Sequence, residues 1–227
     1  MTGADAGALP APLDAVSAVV WDFDGVIADT EPAHQASYEV VLGRLGVACA
    51  SGWFREFVGT NERAIWSVLI PRHGLARPVD ELIDERHDTV SRLAAALQPA
   101  WYVDPLLALP VPHHLVSAGR HAFVAGLLGQ WGLLDRFTSV RATGSPGAAA
   151  AGEKADRLRR VLAEHAATVA VVEDAARYLE IAAAAGATTV AVRHSLNDPA
   201  DAPVCDLVVD HRLPGVWTGS RAADPRP

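Results

Sequence analysis

The stretch from Ala18 to Asp24, AVVWDFD, constrains this chain more than any other: four apolar residues run straight into two carboxylates one position apart. An unbroken, valine-rich run of this length fits a strand buried on both faces, as in parallel sheets. Alternation along the strand puts Asp22 and Asp24 on one side and Phe23 on the other. Two carboxylates so close repel, and one of them keeps a proton unless a cation lies beside them. Gly25 then lets the chain turn. Acids stacked at the carboxyl end of a central parallel strand make a hard-metal site. A bare Asp-x-Asp is otherwise a solvated strand end, so the rest of the chain has to decide.

Later apolar, β-branched runs have the same character: 113–118 (HHLVSA), 137–143 (FTSVRAT), 169–174 (VAVVED), 188–193 (TTVAVR) and 206–210 (DLVVD). Helical patterns separate them, over His121–Trp131, Lys154–His165 and Ala175–Ala185, the last stopped by Gly186. Strands alternating with helices predict βαβ units and an α/β fold with a parallel sheet. The segment after the first strand differs. It has helix-like stretches over His34–Leu45, Glu62–Leu69 and Val79–Leu97 and no buried strand. Leu82, Ile83, Arg86, Val90, Leu93 and Leu97 share one helical face there. The expected division is therefore an α/β part over 1–31 and 105–227 and a helical part over 32–104. The Gly-rich stretch 144–152 reads as a loop before the Lys154 helix, and the Pro- and Gly-rich tail after Asp210 as partly frayed.

Three further sites carry polar groups at element ends. Glu173–Asp174 closes the run VAVVED; it is either a helix cap or, with Asp22 and Asp24 on a neighbouring strand, part of a cluster of four acids that calls for a divalent cation. Ser117 ends HHLVSA before a Gly119–Arg120 turn, where a hydroxyl and backbone N–H groups either hold a phosphoryl oxygen or simply cap a helix. Lys154 is the only lysine in a chain that otherwise takes its positive charge from arginine. A position that keeps lysine under such a bias calls for an ammonium point charge.

The 227 residues carry a formal charge of −8 and no basic run, which disfavours nucleic acid and anionic membranes as partners. Cys49 and Cys205 form no metal-ligand spacing and read as small buried or half-buried side chains. The N-terminus has no basic, apolar leader pattern, and no stretch is long and uncharged enough to span a bilayer. A soluble cytoplasmic protein, monomeric or weakly dimeric, is expected.

WDFDGVIADTEPAH, VSAGR, GEKAD and VVEDA, in this order, resemble the four motifs of the haloacid dehalogenase superfamily, and within it the phosphoglycolate phosphatase and β-phosphoglucomutase type. The resemblance covers residues 16 to 210. It implies a Rossmann-like core with an inserted helical cap, and a Mg2+-dependent phosphatase acting on a small phosphorylated metabolite. By position it makes Asp22 the nucleophile and Asp24 the general acid and base. Ser117, with Ala118 beside it, meets the transferring group, and Lys154 offsets charge. Glu173 and Asp174 hold Mg2+ with Asp22 and the Asp24 backbone carbonyl. In the cap it points to His34, Glu62 and Arg63. His34 either couples to Asp24 or is a helix-surface histidine. Alignment on Gly59 puts Glu62 where the mutase uses an arginine for a second phosphate, and an acid there favours a phosphatase. Two motifs depart from the pattern: the third lacks its prolines (Lys154-Ala155-Asp156), and the fourth runs Ala175-Ala176-Arg177-Tyr178 in place of a small residue and glycine. Tyr178 either crowds the loop or alters access. Trp53, Phe54, Trp66 and Trp101 read as packing residues. The alternatives are a phosphomutase of the same fold, a dehalogenase, and a non-catalytic binding or regulatory relative.

Overall fold

The computed structural model describes residues 9–57, 60–147, 151–165, 168–196 and 205–219. Gly59 and the far N-terminus, residues 148–150 of the Gly-rich stretch and the last eight residues lie outside them. The chain divides into two compact units, Met1–Asp29 with Gln98–Pro227, and Thr30–Leu97.

The first unit is built on one seven-stranded sheet: β1 (Ala18–Trp21), β2 (His113–Arg120), β3 (Ser139–Thr143), β4 (Val169–Glu173), β5 (Thr188–Arg193), β6 (Leu207–Asp210) and β7 (Trp217–Gly219). Their order across the sheet is β3-β2-β1-β4-β5-β6-β7. The first six strands are parallel, and β7 pairs antiparallel with β6. Every residue of β1 is buried, as its unbroken apolar run requires. Val20, Val116 and Val171 pack with Leu158, Val161 and Tyr178 from helices α6 (Lys154–Glu164) and α7 (Ala176–Ala184). Each fully buried valine or leucine contributes about 1.5–3 kcal/mol. Elsewhere in the core, Phe23 meets Phe123 of α5 (His121–Gln130) edge-on, and Trp131 lies stacked on it. Gly186 takes a φ of 77° just past α7, a left-handed turn that closes the helix end.

Two features of this unit differ from the expectations. Within the tail after Asp210, Trp217–Gly219 pair with β6 as β7, where Trp217 packs on Trp101 and Tyr102. Three residues behind a Pro-Gly turn are too short to show a period. By compactness the chain returns to this unit at Leu97/Gln98, ahead of a short helix, α4 (Val103–Leu107), that the helical patterns of the sequence do not include. The outward boundary falls at Asp29/Thr30, two residues before the expected one.

The second unit contains α1 (Glu31–Arg44), a 3-10 turn over Trp53–Phe57, α2 (Glu62–His73) and α3 (Val79–Ala94). Asn61 caps α2 by accepting from the Ala64 N–H at 2.9 Å, and Gly74 ends it in the left-handed conformation. Its core gathers around Tyr38, whose ring meets Trp53, Phe54 and Trp66 at centroid distances of 6.2, 5.6 and 5.2 Å. The buried face of α3 runs through Leu82, Ile83, Arg86, Thr89, Val90 and Ala94, while Leu93 is exposed. The true stripe is therefore rotated by one position from the expected one at its C-terminal end.

Candidate active site

Strand order places the site. From β1 the chain moves outward through β2 and β3, then crosses back to β4 on the other side of β1. The carboxyl ends of β1 and β4 thus flank the point where strand order reverses, the usual ligand crevice of open parallel sheets. Asp22 follows β1 directly and is buried; its N–H donates to the Val172 carbonyl at 2.9 Å. Glu173 ends β4, and Asp174 is the next residue. One carboxylate oxygen from each of Asp22, Glu173 and Asp174 lies within 4.8 Å of the others. Lys154, the first residue of α6, reaches this cluster with Nζ 2.7 Å from Asp22 Oδ2 and 2.8 Å from Glu173 Oε2.

Ser117 is fully buried in β2, and its Oγ accepts the Gly119 N–H at 2.9 Å. A Cβ on Gly119 would stand 3.1 Å from both Ser117 Oγ and Asp24 Oδ2, so that hydroxyl and that carboxylate face the same glycine. The Asp24 carboxylate lies outside the three-acid cluster. Ala118 is exposed, and its carbonyl accepts from Thr143 Oγ1 at 2.9 Å.

Electrostatically the cluster is starved of positive charge. Burial first, and then neighbouring Glu173, push the Asp22 carboxyl up to about 8 against the pull of Lys154. Burial and Asp174 likewise raise Glu173. Burial works to lower the Lys154 ammonium, but Asp22 and Glu173 outweigh it and hold it firmly protonated. Three converging carboxylates against one ammonium, all with oxygen donors, suit a hard divalent cation such as Mg2+.

Both departures from the expected motifs acquire a structural role. Tyr178 lies in the first turn of α7 and not in a loop, and Lys154 Nζ sits 4.1 Å from its ring centroid, a cation–π contact. The third motif lacks its prolines, yet α6 is tied to β2 by Arg157, which donates through Nη2 to the Ser117 carbonyl at 2.8 Å and through Nη1 to the Gly152 carbonyl. Glu173 combines two tasks, since Oε1 accepts the Ala175 N–H at 3.1 Å while Oε2 meets Lys154.

In the helical unit, His34 and Glu62 converge on one buried cation. Arg86 donates to Glu62 Oε1 at 3.0 Å and to Ser37 Oγ at 3.1 Å, and it contacts His34 Nδ1. The other oxygen of Glu62 lies 2.6 Å from His87 Nε2. Arg63 instead points to the surface and pairs with Asp80. Trp101 donates to the Asp210 carbonyl at 2.9 Å.

The sequence reading missed Arg157 and His194. Arg157 stands one turn after Lys154 on α6, a spacing that puts both on one helical face. His194 follows β5 immediately, and its position at a carboxyl edge was the available signal. It is fully buried, with Nε2 3.0 Å from Asp174 Oδ2.

Residues 19–192 match the family model for haloacid dehalogenase-like hydrolases. Among solved structures, the chain is similar to CbbY from Rhodobacter sphaeroides in complex with phosphate, with 19% identity and a TM-score of 0.70 over 86% of this chain and 93% of that one. A β-phosphoglucomutase from Clostridium difficile shows 16% identity and a TM-score of 0.66 over 86% and 91%. A haloacid dehalogenase-like hydrolase from Streptococcus pneumoniae shows 16% identity and a TM-score of 0.64 over 82% and 89%. At such identities the likeness speaks for the fold. A search of curated proteins gave no match. The match spans the acid-ending strand, the Lys154 helix and the Glu173–Asp174 pair together, and by it the chain belongs to the haloacid dehalogenase-like hydrolases.

Proposed function

We propose that this chain is a Mg2+-dependent phosphatase of a small phosphorylated metabolite, acting through an aspartyl-phosphate at Asp22. The observation that carries the reading is the buried Lys154 ammonium bridging Asp22 and Glu173 at the point where strand order reverses. A helical unit inserted after β1 is the part to which we assign substrate choice.

In this mechanism an oxygen of Asp22 attacks phosphorus, and the bond from phosphorus to the substrate's ester oxygen breaks. Asp24 gives its proton to that leaving oxygen. Asp24 then takes a proton from water, whose oxygen attacks phosphorus and releases Asp22 as a carboxylate. Lys154 and the Ser117 hydroxyl meet the charge on the remaining phosphoryl oxygens. Asp22, Glu173 and Asp174 would hold Mg2+, which supplies Lewis-acid stabilisation of the same charge. The preference for hydrolysis over a mutase rests on the sequence alignment that puts Glu62 where the mutase carries an arginine; Glu62 itself pairs with Arg86 and His87.

The test is phosphate release from a panel of sugar phosphates, phosphoglycolate and nucleotides, with Mg2+ and with chelator. Release that needs Mg2+ supports the reading. Isomerisation of a sugar phosphate outpacing release would make the protein a mutase, and no turnover in any condition would leave a binding or regulatory relative.

A further inference from the structure

Asp174 does not reach the acid cluster alone. Behind it stands His194, at the first position after β5 and fully shielded from solvent. The Leu196 N–H donates to His194 Nδ1 at 3.3 Å, which makes that nitrogen an acceptor and puts the ring proton on Nε2. Nε2 in turn lies 3.0 Å from Asp174 Oδ2, so the imidazole donates to the carboxylate. A donor at this distance fixes the plane of the Asp174 carboxylate.

The surroundings hold the imidazole in that place. Asp29 accepts from the Ser195 N–H at 3.1 Å and from Ser195 Oγ at 3.0 Å, which clamps the turn after β5 onto the loop after β1. Gly25 lies in the same loop with a φ of 70°. A Cβ there would stand 2.9 Å from His194 Cδ2, 3.0 Å from Nε2 and 3.1 Å from Asp174 Oδ2. The space that any other residue would fill at position 25 is taken by the histidine–aspartate pair. His211 Nε2 contacts the Gly25 carbonyl at 2.9 Å and holds the backbone of that loop from a further side.

We propose that His194 is a positioning residue for the metal centre: by donating from Nε2 to Asp174 it orients that carboxylate toward a divalent cation shared with Asp22 and Glu173. The inference rests on the Mg2+ reading above. Hydrogen-bonded partners of carboxylate ligands typically set metal affinity by about 10- to 100-fold.

The experiment measures Mn2+ affinity of the full chain by the electron paramagnetic resonance of free Mn2+, together with the thermal midpoint of the metal-free protein. Wild type, Asp22→Asn, His194→Ala and His194→Gln are compared. Glutamine keeps an N–H donor near the position of Nε2. The expected result is Mn2+ binding by wild type, weakened about 10- to 100-fold in His194→Ala and restored to within about threefold in His194→Gln. Equal affinity in wild type and His194→Ala, or a folded His194→Gln that binds as poorly as a variant without the donor, overturns the proposal while leaving the Mg2+ reading intact. Absence of Mn2+ binding by wild type, or binding unaffected by Asp22→Asn, overturns both.

Discussion

At the scale of single residues, Lys154 is the balance point of the site. Its ammonium lies between two buried carboxylates, at 2.7 and 2.8 Å, and over the Tyr178 ring. Lys154→Met leaves Asp22 and Glu173 facing each other in a buried site, a change expected to cost about 3–5 kcal/mol in urea denaturation of the metal-free protein. Lys154→Arg keeps the charge, but a planar fork does not replace a point charge between two carboxylates, so activity is expected to stay low. Asp22→Asn removes the nucleophile and is expected to cut phosphate release by about a thousandfold or more. Much of this set was legible in the sequence: Asp22 and Asp24 announce themselves by ending an apolar run, and Lys154 by being the only lysine. His194 and Arg157 were not, because their partners lie 20 and 40 positions away and become neighbours only through the strand order.

At the scale of elements, α6 has to present Lys154 to the acid cluster without the prolines expected after it. Arg157 does this by bonding the carbonyls of Ser117 and Gly152, linking the lysine helix to the serine strand. Arg157→Met keeps the buried stem but loses both bonds. Hydrogen bonds from a charged donor are worth about 1.5–3 kcal/mol each. A fall in stability of at least that size is expected, with turnover lowered more than substrate affinity, checked by urea denaturation and steady-state kinetics. The parallel strands were readable because each carries a short apolar or β-branched run separated from the next by a helical pattern. The antiparallel β7 was not, since Trp217–Gly219 is held by β6 and by ring contacts with Trp101 and Tyr102 rather than by any pattern of its own. On α3, buried Arg86 shows how a polar residue on an apolar face signals a network: its bonds to Ser37 and Glu62 exist only once three helices pack.

At the scale of the whole molecule, stability depends on pH through groups of opposite sign. Burial first, then His165 and Arg141, lower the His114 imidazole from 6.5 to about 4. The unfolded chain therefore binds more protons at this residue between those values. Its contribution is complete above about pH 6.5 and is lost as pH falls toward about 4. Asp22, raised to about 8, acts in the other direction across the same window, because there the folded metal-free chain binds more protons. The histidine contribution is thus read as a difference: the gap in urea midpoint between wild type and His114→Gln is expected to change between pH 7 and pH 4.5 in favour of the variant at low pH. The central claim, that Asp22 carries the phosphoryl group, is tested most directly with beryllofluoride, a mimic of an aspartyl-phosphate. Fluorine resonances of a bound adduct are expected with wild type in the presence of Mg2+, lost with chelator and absent in Asp22→Asn. Turnover of a phosphate ester by wild type with no such adduct, or an adduct that survives Asp22→Asn, would contradict the account.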